Sequence, residues 1–306
     1  MTFDIDSTEY RWHGEFEATP QNRLKGRPEP KLTFETLHQG EHVLAEREAS
    51  QMSIEGKSIG ITPLSSQSMV KALADNAPFS AIHDGFQKIL KHEFHQNIAL
   101  PVDDYDWLKT TFHSIDDIRH SYLTTQEKLL LACQNIPTAF DELKQDFIAV
   151  FPQIEDVIVE TVKQGTVSQP NLEVVINLKV GGVKKWIQQP QISAGMLKTL
   201  MLLGELYLSP DGTVLLIDEF ENSLGVNCID IIDDLVTPSK NLQLIITSHH
   251  PYIINNIPMD EWKIVTRQGG TVTVKEAKDF KQLGRSSHER FMQLIQLDEI
   301  KHGVAE

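Results

Sequence analysis

Two short and almost wholly apolar runs in the last third of the chain constrain the fold most. "TVLLID" (213–218) and "LQLIIT" (242–247) have the composition of β-strands that are covered on both faces of a sheet. Between them, "CIDIIDDLV" (228–236) has the apolar spacing of a helix. A strand, a helix and a second strand within about 30 residues form a right-handed βαβ unit. The sequence therefore predicts an α/β fold with a parallel sheet.

The rest of the chain divides into regions of different pattern. Residues 1 to about 75 alternate apolar and polar positions between turns, which predicts antiparallel strands. The following region is mostly helical, with "ALPVDDYDW" (99–107) as an interrupting loop, and "DVIVETV" and "LEVVINLKV" after it predict a hairpin. We therefore predict an antiparallel β subdomain at 1–79, a helical insertion at 80–150 and an α/β lobe at 151–306.

Composition narrows the classes of protein further. The chain has 306 residues, enough for one large domain or two modest ones, and its formal net charge of −15 disfavours a broad nucleic-acid-binding face. No apolar run approaches the roughly 20 residues that cross a bilayer, and the N-terminus lacks the pattern of a secretory signal. The two cysteines, Cys133 and Cys228, fit buried thiols in a reducing compartment. We expect a cytoplasmic protein with no membrane partner.

Three carboxylates follow the first apolar run, in "LLIDEFENSLG". A carboxylate at the C-terminal end of a buried parallel strand lies where open α/β sheets bind ligands. Asp218 there could bind Mg²⁺, and Glu219 could act as a general base on a water that attacks a γ-phosphate. The alternative interpretation is that both residues cap the following helix.

Two neighbouring motifs favour the first interpretation. Upstream, "QISAGMLKTLMLLGELYL" begins a helix at Ser193, and Gly195 would let a phosphate approach its exposed N–H groups. Downstream, "IITSHHP" places His249 just past the next parallel strand, where an imidazole could contact a γ-phosphate or its attacking water. Each motif alone is more often an ordinary helix cap or loop, but their order is informative.

In this order the motifs resemble the C-terminal half of an ABC-type ATPase of the SMC, RecF and OLD-like group, a class of P-loop NTPases. "ISAGMLKTL" resembles the signature motif, "LLIDEFENSLG" resembles Walker B running into the D-loop, and "IITSHHP" resembles the switch-histidine loop. The resemblance covers 151–268 well, the N-terminal hairpins loosely and the helical middle hardly at all. It implies ATP and Mg²⁺ as ligands, with Asp218 for the metal and Glu219 and His249 for catalysis.

The resemblance also implies a partner. Ser193, Gly195 and Lys198 of the signature helix would contact an ATP that is bound to an opposing subunit, in a homodimer or hetero-oligomer. Relatives of this architecture serve DNA repair, chromosome maintenance or defence against phage, so nucleic acid could be bound through the complex. The acidic charge and small size favour defence or regulation.

The expected phosphate-binding loop is missing. The pattern G-x-x-x-x-G-K-[ST] does not occur, and the only G-K-S, at Gly56 in "SQMSIEGKSIGITP", has no apolar strand before it and Pro63 after it. Three explanations stay open: a split ATPase with a P-loop-bearing partner, a truncated sequence, or a non-hydrolysing subunit that senses nucleotide. In all three we expect negligible ATP hydrolysis by this chain alone.

The sequence offers weaker candidates for metal chemistry. "KHEFH" (91–95) is not H-E-x-x-H, and we interpret its histidines as helical surface residues. "VDDYD" (102–106) lacks the spacing of a calcium loop. About 30 residues follow "EWKIVTRQGGTVTV", too few for an appended nuclease domain.

Overall fold

The structure is a computed structural model with two compact units, residues 1–89 and 90–306. It describes residues 1–5, 7–17, 31–60, 67–92, 98–166, 169–221, 242–268, 270–280, 283 and 292–295. The strands are β1 (Thr2–Ile5), β2 (Thr8–Glu17), β3 (Lys31–Gln39), β4 (His42–Glu48), β5 (Gln51–Ile54), β6 (Lys57–Ile59), β7 (Ile89–Lys91), β8 (Ile98–Pro101), β9 (Ile154–Thr166), β10 (Gln169–Val180), β11 (Ile187–Gln188), β12 (Val214–Ile217), β13 (Gln243–Ile246), β14 (Lys263–Gln268) and β15 (Thr271–Glu276). The helices are α1 (Met69–Ala72), α2 (Phe79–Gln87), α3 (Val102–Thr111), α4 (Ile115–Arg119), α5 (Thr125–Asn135), α6 (Pro137–Val150), α7 (Ala194–Leu208) and α8 (Pro251–Asn256), with 3₁₀ turns at Gln189–Gln191, Met259–Glu261 and Ala277–Asp279.

The first unit is a six-stranded antiparallel meander in which β1 to β6 pair in chain order. Its apolar face, with Leu37 and Met52, packs against residues of α1 and α2 such as Met69. A buried ion pair joins β3 to β4, with Arg47 Nη1 lying 3.2 Å from Glu35 Oε2. The Glu35 carboxylate also accepts hydrogen bonds from the Trp12 indole and from the backbone N–H of Met69, so the charge is fully hydrogen-bonded where it is buried.

The second unit contains the predicted hairpin of β9 and β10, which pair antiparallel over nearly their whole length. One face of this hairpin is lined by buried apolar side chains such as Val157, Val174 and Ile176. These side chains share one core with α5, α6 and α7. β8 and β11 pair with different parts of the other edge of β10.

A separate three-stranded sheet has the order β13-β12-β7. β12 and β13 are parallel and in register from Val214↔Gln243 to Ile217↔Ile246, as the two apolar runs predict. The C-terminal half of α7 packs on this sheet, with Leu202 and Leu206 in the same core cluster as β12. The predicted helix at 228–236 lies outside the described residues.

The apolar helix α7 is held in place by its close contact with α5. Gly204 lies against α5 so closely that a Cβ there would be 2.9 Å from Thr125 Cγ2. At the end of α7, buried Lys128 donates from Nζ to the carbonyl oxygens of Leu208 (3.2 Å) and Arg119 (3.1 Å). This ammonium group therefore satisfies C-terminal carbonyls that a helix leaves unpaired.

The units differ from the predicted regions in their boundary. The structure divides the chain after residue 89 instead of after 79, because α1 and α2 share a core with the antiparallel strands. Helices of 102–150 share a core with β9, β10 and α7. The division into 1–79, 80–150 and 151–306 stays a prediction about domain organisation.

Two local predictions were wrong. Residues 99–107 are not a loop, because β8 pairs with β10 through residue 101 and α3 begins at the next residue. Proline is tolerated just before a helix, and Asp103 and Asp104 in the first turn favour its positive end. β13 is not covered on both faces either, since Ile245 is 49% exposed.

The interpretation of "KHEFH" as helical surface histidines also fails at His92; residues 93–97 lie outside the described part of the chain. The backbone N–H of His92 extends strand pairing by donating to Leu216 O, and its Nδ1 lies 2.7 Å from Glu205 Oε2. Its side chain is only 9% exposed. Glu205 is 113 residues away in sequence, so no local pattern indicates this pair.

Candidate functional site

The candidate site lies at the carboxyl ends of β12 and β13. Because Ile217 pairs with Ile246, the next residues of the two strands, Asp218 and Thr247, come side by side. Thr247 N–H donates to Ile217 O at 2.9 Å, and Phe220 N–H donates to Thr247 O at 3.0 Å. These backbone bonds join the two strand ends, so the residues that follow them are positioned relative to one another.

The Thr247 hydroxyl connects the two adjacent carboxylate residues of the predicted Walker B motif. Thr247 Oγ1 lies 2.5 Å from Asp218 Oδ1, to which it donates, and it accepts the backbone N–H of Glu219 at 2.8 Å. Glu219 has φ +48°, a left-handed conformation that non-glycine residues adopt rarely. Asp218 and Glu219 are both exposed, so solvent and ligands can reach their carboxylates.

A second link joins Glu221 to His249. Glu221 Oε1 accepts the backbone N–H of His249 at 2.8 Å and lies 2.6 Å from His249 Nδ1. The Glu221 side chain is 12% exposed, whereas the imidazole is 78% exposed. The carboxylate therefore holds the imidazole at a fixed place while most of the ring faces solvent.

The surroundings of Glu221 favour its ionised form. Burial alone would raise the pKa of the Glu221 carboxyl. Hydrogen bonds from the backbone N–H groups of His249 and Glu221 and from the Ser248 hydroxyl outweigh this effect. Together with the charge of His249, they lower the pKa. Its other oxygen, Oε2, is buried and has no hydrogen-bond partner among the described residues. This oxygen is therefore a buried acceptor whose hydrogen-bonding capacity is unused.

The start of α7 carries the three predicted nucleotide contacts. Ser193 is the N-cap, and its Oγ accepts the backbone N–H of Met196 at 3.3 Å. Gly195 is half-buried in the first turn, and its carbonyl oxygen accepts a hydrogen bond from Thr199 Oγ1 at 2.9 Å. Lys198 is half-buried one turn further along. α7 has 15 residues, and its exposed, capped start presents backbone N–H groups and the positive end of the helix dipole to solvent.

The structure thus brings three of the six predicted site residues into one cluster. Asp218, Glu219 and His249 meet at the ends of β12 and β13, whereas Ser193, Gly195 and Lys198 form a separate group on the first turns of α7. Sequence reasoning assigned no role to Thr247 or Glu221. The sequence signal for Glu221 is its position two residues after Glu219. The sequence signal for Thr247 is weaker, since it is only the last residue of an apolar run.

The G-K-S of the first unit belongs to a hairpin. Gly56 lies in the turn between β5 and β6 with φ +75°, and Lys57 and Ser58 are residues of β6, which pairs with β5. A phosphate-binding loop instead joins a strand to a helix and directs its N–H groups at the ligand. This geometry makes Gly56–Ser58 part of an ordinary β-hairpin.

The oxygen groups at the site fit Mg²⁺ in one manner only. No group of three or more His, Cys, Asp or Glu residues among the described residues could enclose a metal ion. Mg²⁺ is commonly held by one or two carboxylates together with waters and substrate phosphates, and exposed Asp218 can supply such a carboxylate. The site therefore fits a metal that arrives with a nucleotide.

A family model described as "AAA domain, putative AbiEii toxin, Type IV TA system" matches residues 71–255, more than half of the chain. The chain belongs to this AAA family. Membership indicates an ATPase-like, nucleotide-binding domain, and the mixed fold with a parallel sheet is the P-loop-NTPase-like α/β class that the sequence predicted. No curated protein matches the chain.

The match includes α7, β12 and β13, so the candidate site lies within the AAA domain. None of the described helices is long and apolar enough to cross a membrane.

Proposed function

We propose that this chain is the ABC-type subunit of a Mg²⁺-dependent ATPase whose nucleotide is held between subunits. The observation that carries the proposal is the cluster at the ends of β12 and β13, where Thr247 joins Asp218 to Glu219 and Glu221 holds His249. Phosphoryl transfer depends mainly on positioning and charge, and this cluster supplies a metal ligand, a base and a polar ring within a few residues.

Asp218 is the proposed metal ligand. Its Oδ1 accepts a hydrogen bond from the Thr247 hydroxyl. The other oxygen of this exposed carboxylate can then bind Mg²⁺. The metal would supply charge neutralisation of the β- and γ-phosphates of ATP. The Thr247 bond holds the carboxylate at the end of β12, so its position does not depend on the nucleotide.

Glu219 is the proposed general base. Its backbone is fixed in the left-handed region by the bond from its N–H to Thr247 Oγ1, so its side chain leaves the strand in a different direction from that of Asp218. An exposed carboxylate so placed can accept a proton from the attacking water.

His249 is the proposed γ-phosphate contact. If the imidazole carries its proton on Nδ1, this N–H donates a hydrogen bond to Glu221. The other ring nitrogen, Nε2, is then available to the γ-phosphate or to the attacking water. Glu221 then fixes the tautomer, as a carboxylate does for other functional histidines.

Ser193, Gly195 and Lys198 are proposed to contact the nucleotide of an opposing subunit. The exposed N–H groups at the start of α7 suit an anion, and no P-loop pattern occurs in this sequence to hold ATP from the other side. We infer that the P-loop comes from another polypeptide or from a longer form of this chain, in a homodimer or hetero-oligomer of the SMC, RecF and OLD-like group. The toxin name in the family description favours a role in defence, in the cytoplasm, with any nucleic acid bound through the complex.

The test is ATP turnover by the chain alone and by the complex that a tagged chain forms in its own host. We expect negligible turnover by the chain alone and Mg²⁺-dependent turnover by the complex. Glu219→Gln should lower the rate of the complex by about 10²–10⁴-fold, the usual effect of losing a positioned base. Asp211→Asn, in the turn before the opposite end of β12, is the matched control and should leave the rate unchanged.

Wild-type turnover by the Glu219→Gln complex would contradict the role of Glu219. Robust Mg²⁺-dependent turnover by the chain alone would contradict the need for a P-loop from elsewhere. If ATP promotes assembly but no variant or wild-type complex hydrolyses it, the chain is a nucleotide-sensing subunit, the alternative function that the missing loop leaves open.

A separate experiment tests the contact across subunits. Gly195→Asp places a carboxylate at the half-buried first turn of α7, where the phosphate would approach. The variant is made on a Glu219→Gln background to prevent turnover, and the complex is measured by light scattering with Mg²⁺ and ATP. We expect the ATP-dependent assembly of the complex to be lost, while circular dichroism shows that the Gly195→Asp chain stays folded. Unchanged assembly would leave "ISAGMLKTL" as an ordinary capped helix.

A further inference from the structure

One segment in the second half of this acidic chain carries only positive charge. Residues 174–204 contain four lysines and no aspartate or glutamate, although the whole chain has 43 acidic residues in 306 and a formal net charge of −15. Two of these lysines, Lys184 and Lys185, are exposed, and exposed Trp186 follows them directly. A local group of lysines beside an aromatic residue is a surface chemistry that suits an anionic ligand with flat rings.

The three exposed residues belong to the turn that joins β10 to β11, which we call the basic turn (residues 181–186). β11 pairs antiparallel with β10, so the basic turn closes a hairpin. Gly182 has φ +75°, a conformation that glycine adopts without strain, and Val183 N–H donates to Val180 O at 3.0 Å. The basic turn is therefore an ordered part of the sheet.

Lys179 of β10 holds the backbone of the basic turn in one conformation. Its Nζ donates to the carbonyl oxygens of Val183 at 2.5 Å and of Lys184 at 3.1 Å. On the other side, Gly181 N–H donates to the carbonyl oxygen of Gln153, just before β9, at 2.9 Å. Because these bonds already fix the backbone, a ligand that binds the exposed side chains of the turn has less conformational entropy to overcome.

The charges beside the basic turn leave its two exposed lysines to a ligand. Among the described residues, neither Lys184 nor Lys185 forms an ion pair. Half-buried Asp156 is paired with Lys144, whose Nζ lies 3.0 Å from its Oδ1. Glu155 is the exposed carboxylate closest to the turn, since its Oε1 would be 3.3 Å from a Cβ on the first residue of the turn. Glu155 therefore opposes an anionic ligand.

We propose that the basic turn binds single-stranded nucleic acid, with Lys184 and Lys185 on phosphates and a base stacked on Trp186. Trp186 is 38% exposed, so part of its ring is accessible while the rest is held by the protein. Every base has a flat π-face, and in a single strand that face is open to a tryptophan. A membrane surface fits less well, because Val183 and Trp186 are the only apolar side chains of the turn and both are more than half buried.

The test is fluorescence anisotropy of a labelled oligothymidylate of about ten nucleotides, titrated with the full chain in EDTA and about 20 mM NaCl. The net charge of −15 repels nucleic acid in general, so binding requires a local site. We expect a Kd of about 0.1 mM. The logarithm of the binding constant should fall with the logarithm of the salt concentration with a slope of about −1.4, the value for two phosphate contacts on a single strand.

Variants locate the binding and separate its two components. Lys184→Gln and Lys185→Gln should each weaken binding several-fold and reduce the salt slope by about 0.7. Trp186→Leu keeps an apolar side chain but removes the stacking, so it should weaken binding about tenfold, whereas Trp186→Tyr should retain most of it. Glu155→Gln removes the opposing charge and should strengthen binding about twofold. Circular dichroism checks that each variant is folded.

The matched controls lie on α3, where Lys109→Gln and Trp107→Leu change an exposed lysine and an exposed tryptophan beside acidic residues. Both should leave the affinity and the salt slope unchanged. No binding at about 0.5 mM protein, or full binding by Trp186→Leu, would overturn the proposal. Polyglutamate, ATP or phosphatidylserine vesicles that compete as well as unlabelled oligothymidylate would also overturn it, in favour of an acidic polypeptide, a mononucleotide or a membrane. The test involves no ATP hydrolysis, so its failure leaves the proposed ATPase function untouched.

Discussion

Lys128 of α5 allows a quantitative test of the contact between α5 and α7. This contact holds α7, the helix at whose start the proposed nucleotide contacts lie. The Lys128 side chain is buried, and its Nζ donates to the carbonyl oxygens at the ends of α4 and α7. Burial lowers the pKa of the Lys128 ammonium from 10.5 to about 8. The perturbation is Lys128→Met, which keeps an unbranched side chain and removes the titrating group.

The sign follows from proton binding. Between pH 8 and pH 10.5 the unfolded chain binds this proton more fully than the folded chain, so the free energy of unfolding rises with pH in that window. Below pH 8 both states are protonated, and the shift of about 2.5 units costs the folded state about 3 kcal/mol at 1.36 kcal/mol per unit. From pH 7 to pH 9, where the folded state has lost its proton, this group alone should add about 1 kcal/mol to stability.

The assay is urea denaturation of wild type and Lys128→Met at several pH values from 7 to 9. The difference in unfolding free energy, wild type minus variant, should rise by about 1 kcal/mol over that range. Lys179→Met is the control, because Lys179 also donates to two backbone carbonyl oxygens but does so at the surface. Parallel curves for wild type and Lys128→Met would show that the two carbonyl oxygens compensate fully for burial, and the reasoning would be refuted.

Two further predictions concern single residues. Thr247→Val keeps the shape but removes a hydroxyl that donates to Asp218 and accepts the N–H of Glu219, so urea denaturation should show a loss of about 1–2 kcal/mol. Thr266→Val removes one exposed hydroxyl bond, to Thr273, and should lose less. An equal loss in both variants would mean that the Asp218 link contributes nothing particular. Gly204→Ala gains up to about 1 kcal/mol of helix propensity but forces a methyl group against Thr125 at 2.9 Å, so we expect a net loss of about 1 kcal/mol in the same assay. A stabilised Gly204→Ala chain would show that α5 moves aside without cost.

The sequence was sufficient wherever local composition determines structure. The apolar runs at 214–217 and 243–246 are parallel strands as predicted, although β13 leaves Ile245 49% exposed and is not the doubly covered strand that its composition indicates. The error at 99–107 arose from treating Pro101 and the acidic residues after it as loop signals, although the same residues also suit a helix start. His92 and Glu205 could not be paired from sequence, since their contact depends on how β7 and α7 pack.

The candidate site shows the same division between local and distant information. Asp218 and His249 were predicted from motifs, each within its own segment. Thr247 and Glu221 acquire their contacts only from the register of β12 against β13, which brings residues 28 or 29 positions apart within hydrogen-bond distance. A register cannot be read from two short apolar runs, because shifting either run by one residue keeps its apolar character.

The conformation of Glu219 explains how two adjacent carboxylates can have different roles. In a continuing strand, Asp218 and Glu219 would simply point to opposite faces. A left-handed residue instead changes the direction of the chain, at a cost of about 1–3 kcal/mol for a non-glycine residue. Hydrogen bonds from Glu219 N–H and Phe220 N–H to Thr247 offset that cost. The pairing of β12 with β13 therefore both builds the cluster and stabilises its strained residue.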